Sequence, residues 1–270
     1  MAVCYVIAAV CIAALLYVAA QRKMEADTLK AAVSDPVLQQ GLRDAVTSAP
    51  QGAAAQEGEI ASPDAAVPTP VPVPVDFDYL QGINRDIYAW LHFGWSGKEL
   101  PVAQREGDDS YYLRRDINGD YSAAGTAFSE SKHNARDFND PCTVLFGHNM
   151  TSGVMFGGLA DNVAVMDLDN AEAETNYITI YTPGGIRRYR IVCSGVFSNE
   201  SILYYYNFST EYGFNSFFDM MRSCSGTAYK VSTQRPPVFG DDLLILSTCQ
   251  GFSSEHRFLA VAVLTERQGV

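Results

Sequence analysis

The chain predicts a mainly β fold, a barrel or a sandwich, over roughly residues 77–270. Three observations carry this. Residues 175–182 set Tyr177, Thr179 and Tyr181 against Ile178 and Ile180, the period-two pattern of a half-buried strand. Pro183-Gly184-Gly185 then turns the chain, and residues 187–193 alternate again with Tyr189, Ile191 and Cys193 on one face, which completes a hairpin. Near the end, residues 242–248 and 257–264 are continuous apolar runs of strand length.

The remaining elements follow in order. Residues 2–20 carry no charged side chain, and about 20 apolar residues suffice to span a bilayer. Arg22 and Lys23 come next. The run reads as a retained signal anchor or as a cleaved signal peptide ending at Val18-Ala19-Ala20; its length and lack of a basic start favour the anchor. The positive-inside rule sets Arg22 and Lys23 on the cytoplasmic side, against an extracellular domain. Residues 24–48 read as a polar helix or helix pair broken at Pro36. An alanine-rich stretch leads to Val67-Pro68-Thr69-Pro70-Val71-Pro72-Val73-Pro74, whose Val-Pro alternation favours extended polyproline II and makes residues 21–76 a stalk.

The first folded element is expected to be helical. Leu80, Ile83, Ile87, Trp90 and Leu91 recur at three- and four-residue steps, and Asp76 or Asp78 is placed to cap the start. Residues 195–235, with Phe214, Phe217, Phe218, Met220 and Met221, read as a long loop carrying one short helix. The sequence contains no convincing internal repeat.

Composition narrows the class. Hydrophobic residues make up 47% of the 270, enough for a sizeable core. A formal net charge of −12 excludes nucleic acid as the main partner, because phosphate binding needs clustered Lys and Arg. Cys4 and Cys11 lie in the apolar N-terminus, whereas Cys142, Cys193, Cys224 and Cys249 are widely spread. No Cys-x-x-Cys pair or zinc-finger His spacing occurs, so no metal site is expected, nor any cofactor. A disulfide among Cys142, Cys193 and Cys224 stays open, with buried free thiols the simpler expectation for each.

The chemistry concentrates in three residues. Cys249 ends the apolar run Leu244-Ile245-Leu246-Ser247-Thr248-Cys249. His148 ends another in Leu145-Phe146-Gly147-His148-Asn149-Met150, where side chains emerge from the sheet edge, and Arg257 opens the next apolar run. A nucleophile, a proton carrier and a fixed positive charge form the minimum kit for acyl transfer through a thioester. Taken singly, each has a plainer explanation: packing for the cysteine, a surface ion pair for the arginine. His92, His133 and His256 lack the setting of His148, and His256 adjoins Arg257, so on a strand the two side chains face opposite ways.

These segments resemble the class B sortases. The family's cysteine motif appears as Leu246-Ser247-Thr248-Cys249 with Arg257 downstream, and its histidine motif as Gly147-His148-Asn149-Met150. Further class B features are Ile83-Asn84-x-Asp86-Ile87-x-x-Trp90-Leu91, Pro101-Val102-x-Gln104, Tyr111-Tyr112-Leu113, Gly153-x-Met155-Phe156 and Tyr205-x-Asn207-Phe208. The resemblance covers about residues 77–265 and implies a sortase-type closed β-barrel with one or more N-terminal helices. It also implies a single-pass membrane protein of a Gram-positive surface with an extracellular catalytic domain, residues 77–270. Cys249, His148 and Arg257 are then the candidate catalytic groups. Ser247, Thr248, Tyr204, Tyr205 and Tyr206 are candidate substrate contacts, with buried or core roles as the alternative. The implied partners are secreted proteins bearing a C-terminal sorting signal, and an amine acceptor from a peptidoglycan precursor or a pilin. Asn-Pro-x-Thr-Asn-like and Leu-Pro-x-Thr-Gly-like signals both stay open. A cysteine hydrolase using water and a non-catalytic surface scaffold are the competing classes. A papain-like hydrolase needs its Cys before its His, the reverse of the order here.

Overall fold

The computed structural model describes residues 72–249 and 255–269. The expected membrane segment and nearly all of the stalk lie outside the described residues. Among the described residues no helix is long and apolar enough to cross a membrane.

The N-terminal helix is shorter than the apolar periodicity suggests. Helix α1 runs Phe77–Ile83, capped by Asp76, whose carboxylate accepts from the Tyr79 N–H at 2.9 Å. Asn84 ends it in extended conformation. Its Nδ2 donates to the Tyr112 hydroxyl (2.7 Å) and the Ile117 carbonyl (2.8 Å), while its Oδ1 accepts from the Asp86 N–H (2.9 Å). Those bonds compete with a further helical turn. Ile87, Trp90 and Leu91, expected on the helix, therefore lie on strand β1, Ile87–Phe93. Nearly every residue of β1 is buried, because Leu91 and Phe93 face one core cluster while Ile87 and Trp90 face another. A strand covered on both faces loses its alternation and imitates helical spacing.

Eight further strands follow: β2 Glu99–Ala103, β3 Ala127–Phe128, β4 Cys142–Phe146, β5 Tyr177–Thr182, β6 Gly185–Ser198, β7 Lys230–Val231, β8 Leu243–Cys249 and β9 His256–Gly269. They form one sheet in the order β5-β1-β2-β3-β4-β8-β9-β6-β7, and β5 also pairs with β6. That extra pairing closes an eight-strand barrel and leaves β7 outside it. The β2–β3 and β4–β8 pairs are parallel and the rest antiparallel. The expected hairpin is β5–β6, turning at Pro183-Gly184.

Leu244 and Leu246 of β8 and Phe258, Ala260 and Ala262 of β9 point into the barrel with Leu91, Ile178, Tyr189 and Ile191. Leu243 and Ile245, with Leu259, Val261 and Val263, face outward under a helix. One expected face is corrected. The β6–β9 register slips between Ile191 and Cys193, so Cys193 joins Val261 in the outer cluster while Tyr189 and Ile191 stay inside. An extra residue in one strand of a ladder reverses the alternation.

The 195–235 segment is more ordered than a loop with one short helix. β6 extends to Ser198, α3 spans Ile202–Tyr205, and α4 spans Glu211–Ser225, preceded in the chain by α2 at Leu159–Val165. Thr210 caps α4 by accepting from the Gly213 N–H at 3.2 Å. Phe214, Phe217, Phe218 and Met221 recur at helical spacing and bury against β6, β8 and β9. Phe217 is fully buried among Phe197, Tyr206, Phe208 and Phe218. Phe217→Ala is expected to lower stability by about 3–5 kcal/mol, read as a lower urea midpoint with an unchanged slope. Cys142, Cys193 and Cys224 are free thiols. The first two are buried, which pushes Cys142 well up and Cys193 to about 11, whereas Cys224 is exposed on α4.

Candidate active site

The barrel's parallel pair decides where the chemistry collects. β4 and β8 run side by side with Phe146 opposite Ser247, and the Gly147 N–H donates to the Ser247 carbonyl at 3.2 Å. Two residues further along each strand lie His148 and Cys249, so both positions leave the barrel at the same end. Cys249 pairs directly with Arg257 across β8–β9, the last rung of that ladder. Positions 247, 249 and 257 continue the parity of Leu243, Ile245 and Leu259, the outward-facing set. Three chain segments thus deliver the cysteine position, the histidine and the arginine to one rim. His256 takes the opposite parity from Arg257 and pairs with Ser198.

His148 is held by its surroundings. Its Nε2 lies 2.7 Å from the Leu113 carbonyl oxygen. A carbonyl only accepts, so Nε2–H is the donor, and in the neutral ring Nδ1 carries the lone pair. The Leu113 carbonyl is fixed in turn. Tyr112 donates to Asp86 at 2.8 Å and accepts from Asn84, while Arg105 reaches the Asp86 carboxylate at 3.0 Å. Burial pushes the Tyr112 phenol up to about 12. The Asn84-x-Asp86 and Tyr111-Tyr112-Leu113 segments, far apart in sequence, therefore build the seat of His148. Tyr112→Phe removes one donor from Asp86 and one acceptor from Asn84, with an expected loss of about 1–3 kcal/mol in thermal or denaturant unfolding.

On the other side of His148, Gly147 lies flat on the Phe156 ring, and any Cβ there would sit 2.8 Å from ring carbons. The Phe156 N–H donates to the His148 carbonyl at 3.0 Å. The turn between them carries Gly153 and Met155 with positive φ. Lys98, from the β1–β2 turn, donates to the Gly153 carbonyl and to the Met155 carbonyl at 3.0 Å. Burial lowers the Lys98 pKa.

Arg257 Nε donates to the Asn199 side-chain oxygen at 2.8 Å. Asn199 follows β6 directly, one residue past the Ser198↔His256 pair. Ser247 and Thr248 are buried, and the Thr248 hydroxyl has no hydrogen-bond partner among the described residues. Tyr204 and Tyr205 are 71% and 62% exposed, their rings packed edge to face. Tyr206 is half-buried against Phe197 and Phe217 and belongs to the outer core. Asn199, Lys98 and the Leu113 carbonyl escaped the sequence reading. A backbone carbonyl has no residue signature, and a lone loop asparagine has no spacing to betray it. Among the described residues no group of three or more His, Cys, Asp or Glu is placed to hold a metal ion.

Comparison with known proteins agrees with this architecture. No family model matches the chain. Sortase B of Listeria monocytogenes is 29% identical over 173 residues, covering 63% of this chain and 65% of that protein. Sortase B of Staphylococcus aureus is 28% identical over 85 residues, covering 32% and 34%. The chain thus spans under two thirds of the length of these relatives. Among solved structures, Clostridium perfringens sortase B superposes with a TM-score of 0.58 at 23% identity, covering 71% of this chain and all (100%) of that one. Bacillus anthracis sortase B does so at 0.58 and 23%, covering 84% and 94%. A Staphylococcus aureus sortase B–substrate complex matches at 0.55 and 20%, covering 70% and 84%. In sequence the chain is thus similar to the curated sortase B proteins, and in barrel fold to the solved sortase B structures.

Proposed function

We propose that the chain is a sortase-type cysteine transpeptidase, with Cys249 as nucleophile, His148 as proton carrier and Arg257 as charge-stabilising donor. The observation that supports it is the delivery of positions 148, 249 and 257 to one barrel rim by the β4–β8 and β8–β9 registers. A free thiol titrates near 8.5, so a neighbouring cation favours the reactive thiolate. The thiolate attacks the carbonyl carbon of a sorting-signal peptide bond. The sulfur–carbon bond forms, the carbon–nitrogen bond breaks, and the His148 imidazolium protonates the leaving amine from Nδ1 while Nε2–H stays on Leu113. An incoming amine then gives its proton to Nδ1 and attacks the thioester. The new amide forms, the carbon–sulfur bond breaks, and the thiolate–imidazolium pair returns. The Arg257 guanidinium, a fork donor of fixed charge, stabilises the oxyanion in both halves.

The substrates in this reading are secreted proteins with a C-terminal sorting signal, and the acceptor is a peptidoglycan-precursor or pilin amine. Residues 2–20 tether the chain to the membrane, residues 21–76 act as a stalk, and residues 77–270 form the catalytic domain outside the cell. Ser247, Thr248, Tyr204, Tyr205 and Tyr206 border the substrate path. The test incubates the full-length protein with Asn-Pro-x-Thr-Asn-like and Leu-Pro-x-Thr-Gly-like peptides, with and without triglycine as amine. A transpeptidase gives a thioacyl adduct on Cys249 and an amine-dependent product. Cleavage at the same rate without amine points to a hydrolase, and no adduct with either peptide overturns the reading.

A further inference from the structure

Arg257 is the second residue of β9, at the barrel rim, where a four-bond side chain loses rotamer freedom if it is to hold one orientation. Its Nε–H is taken by Asn199 Oδ1 at 2.8 Å. Asn199 is exposed, but it lies between two ordered elements. Phe197 pairs with Arg257 and Ser198 with His256, so the backbone reaches Asn199 straight from the end of a 14-residue strand. Past Asn199 the chain enters α3, whose Ile202 is buried in the outer cluster. The backbone is thus held on both sides of Asn199, and its side-chain acceptor reaches the one guanidinium nitrogen nearest the alkyl stem. A bond at Nε sets the plane of the whole group, because the guanidinium is flat and delocalised. The acceptor is a neutral amide, so it orients the cation without adding negative charge beside the reacting carbonyl.

We infer that Asn199 is a positioning residue for the transpeptidation reaction: it sets the guanidinium of Arg257 toward the oxyanion formed at Cys249. The inference rests on the proposed reaction and on the role given there to Arg257. Preorganised donors owe their catalytic effect to being in place before charge develops. Loss of Asn199 therefore lowers kcat more than it raises KM, because the interaction it secures belongs to the transition state.

The experiment is a double-mutant cycle on the full chain, with thioacyl formation on a sorting-signal peptide followed by mass under single turnover. Asn199→Ala is expected to slow acylation by about tenfold, with KM within a factor of two or so and an unchanged thermal midpoint. Asn199→Asp keeps an oxygen in place but adds the negative charge that the amide avoids, so it recovers only part of that loss. In an Arg257→Ala background, Asn199→Ala has no further effect, since the group it orients is gone. Equal losses in both backgrounds would mean a structural role and overturn the inference, as would a change confined to KM. An Arg257→Ala variant as fast as wild type removes instead the reading beneath it.

Discussion

Replacing Cys249 by alanine is expected to abolish acyl transfer: no thioacyl adduct should form, and product should fall to background with or without an amine. The other thiols among the described residues offer no equivalent nucleophile there. Cys142 and Cys193 are buried with their thiols pushed up, and Cys224 is exposed on α4, a helix outside the β8–β9 ladder. The substitution is small and sits at the last rung of β8, so unfolding midpoints should shift little. Measuring both mass adduct and thermal midpoint separates lost chemistry from lost structure. Retention of peptide cleavage in a folded Cys249→Ala protein would falsify the thioester mechanism outright.

The second large effect is at Arg257. Arg257→Ala is expected to slow acylation by about 10²–10³-fold, the size seen when one oxyanion donor is removed. Arg257→Lys keeps the charge but loses the fork and the Nε donor that meets Asn199. Its rate is therefore expected between wild type and Arg257→Ala, nearer the alanine variant. Single-turnover acylation with saturating peptide reads this directly. If lysine restores the full rate, simple charge suffices and the oriented fork has no role. If alanine matches wild type, the barrel rim stabilises the oxyanion by other groups.

Much of this was legible in the chain before folding. The β5–β6 hairpin was written in alternation and a Pro-Gly turn, and the β8 and β9 strands in continuous apolar runs. Their local pattern survives because each strand has one consistent environment. The helix at Phe77–Ile83 was legible too, but its end was misplaced. Side-chain bonds from Asn84 to Tyr112 and Ile117 stopped it, and those partners lie far along the sequence. Helix α4 was underestimated because its aromatic stripe looked like loop hydrophobics until β6, β8 and β9 gave it a surface to cover. Cys193 moved to the other face because one slipped residue in the β6–β9 ladder costs little locally and reverses everything beyond it.

Residue type and motif order by themselves named the three groups with chemistry to offer, Cys249, His148 and Arg257, and the kind of barrel that holds them. Only the folded arrangement put their positions at one rim. The parallel β4–β8 pair brings two distant strand ends to one rim, and the antiparallel β8–β9 pair sets position 249 against Arg257. Tertiary structure alone also chose the auxiliary contacts: the Leu113 carbonyl for His148 and the Asn199 amide for Arg257. The physical reason is that strand pairing and long-range hydrogen bonds depend on which surfaces close over one another, and local pattern along a chain does not encode distances between segments that fold together.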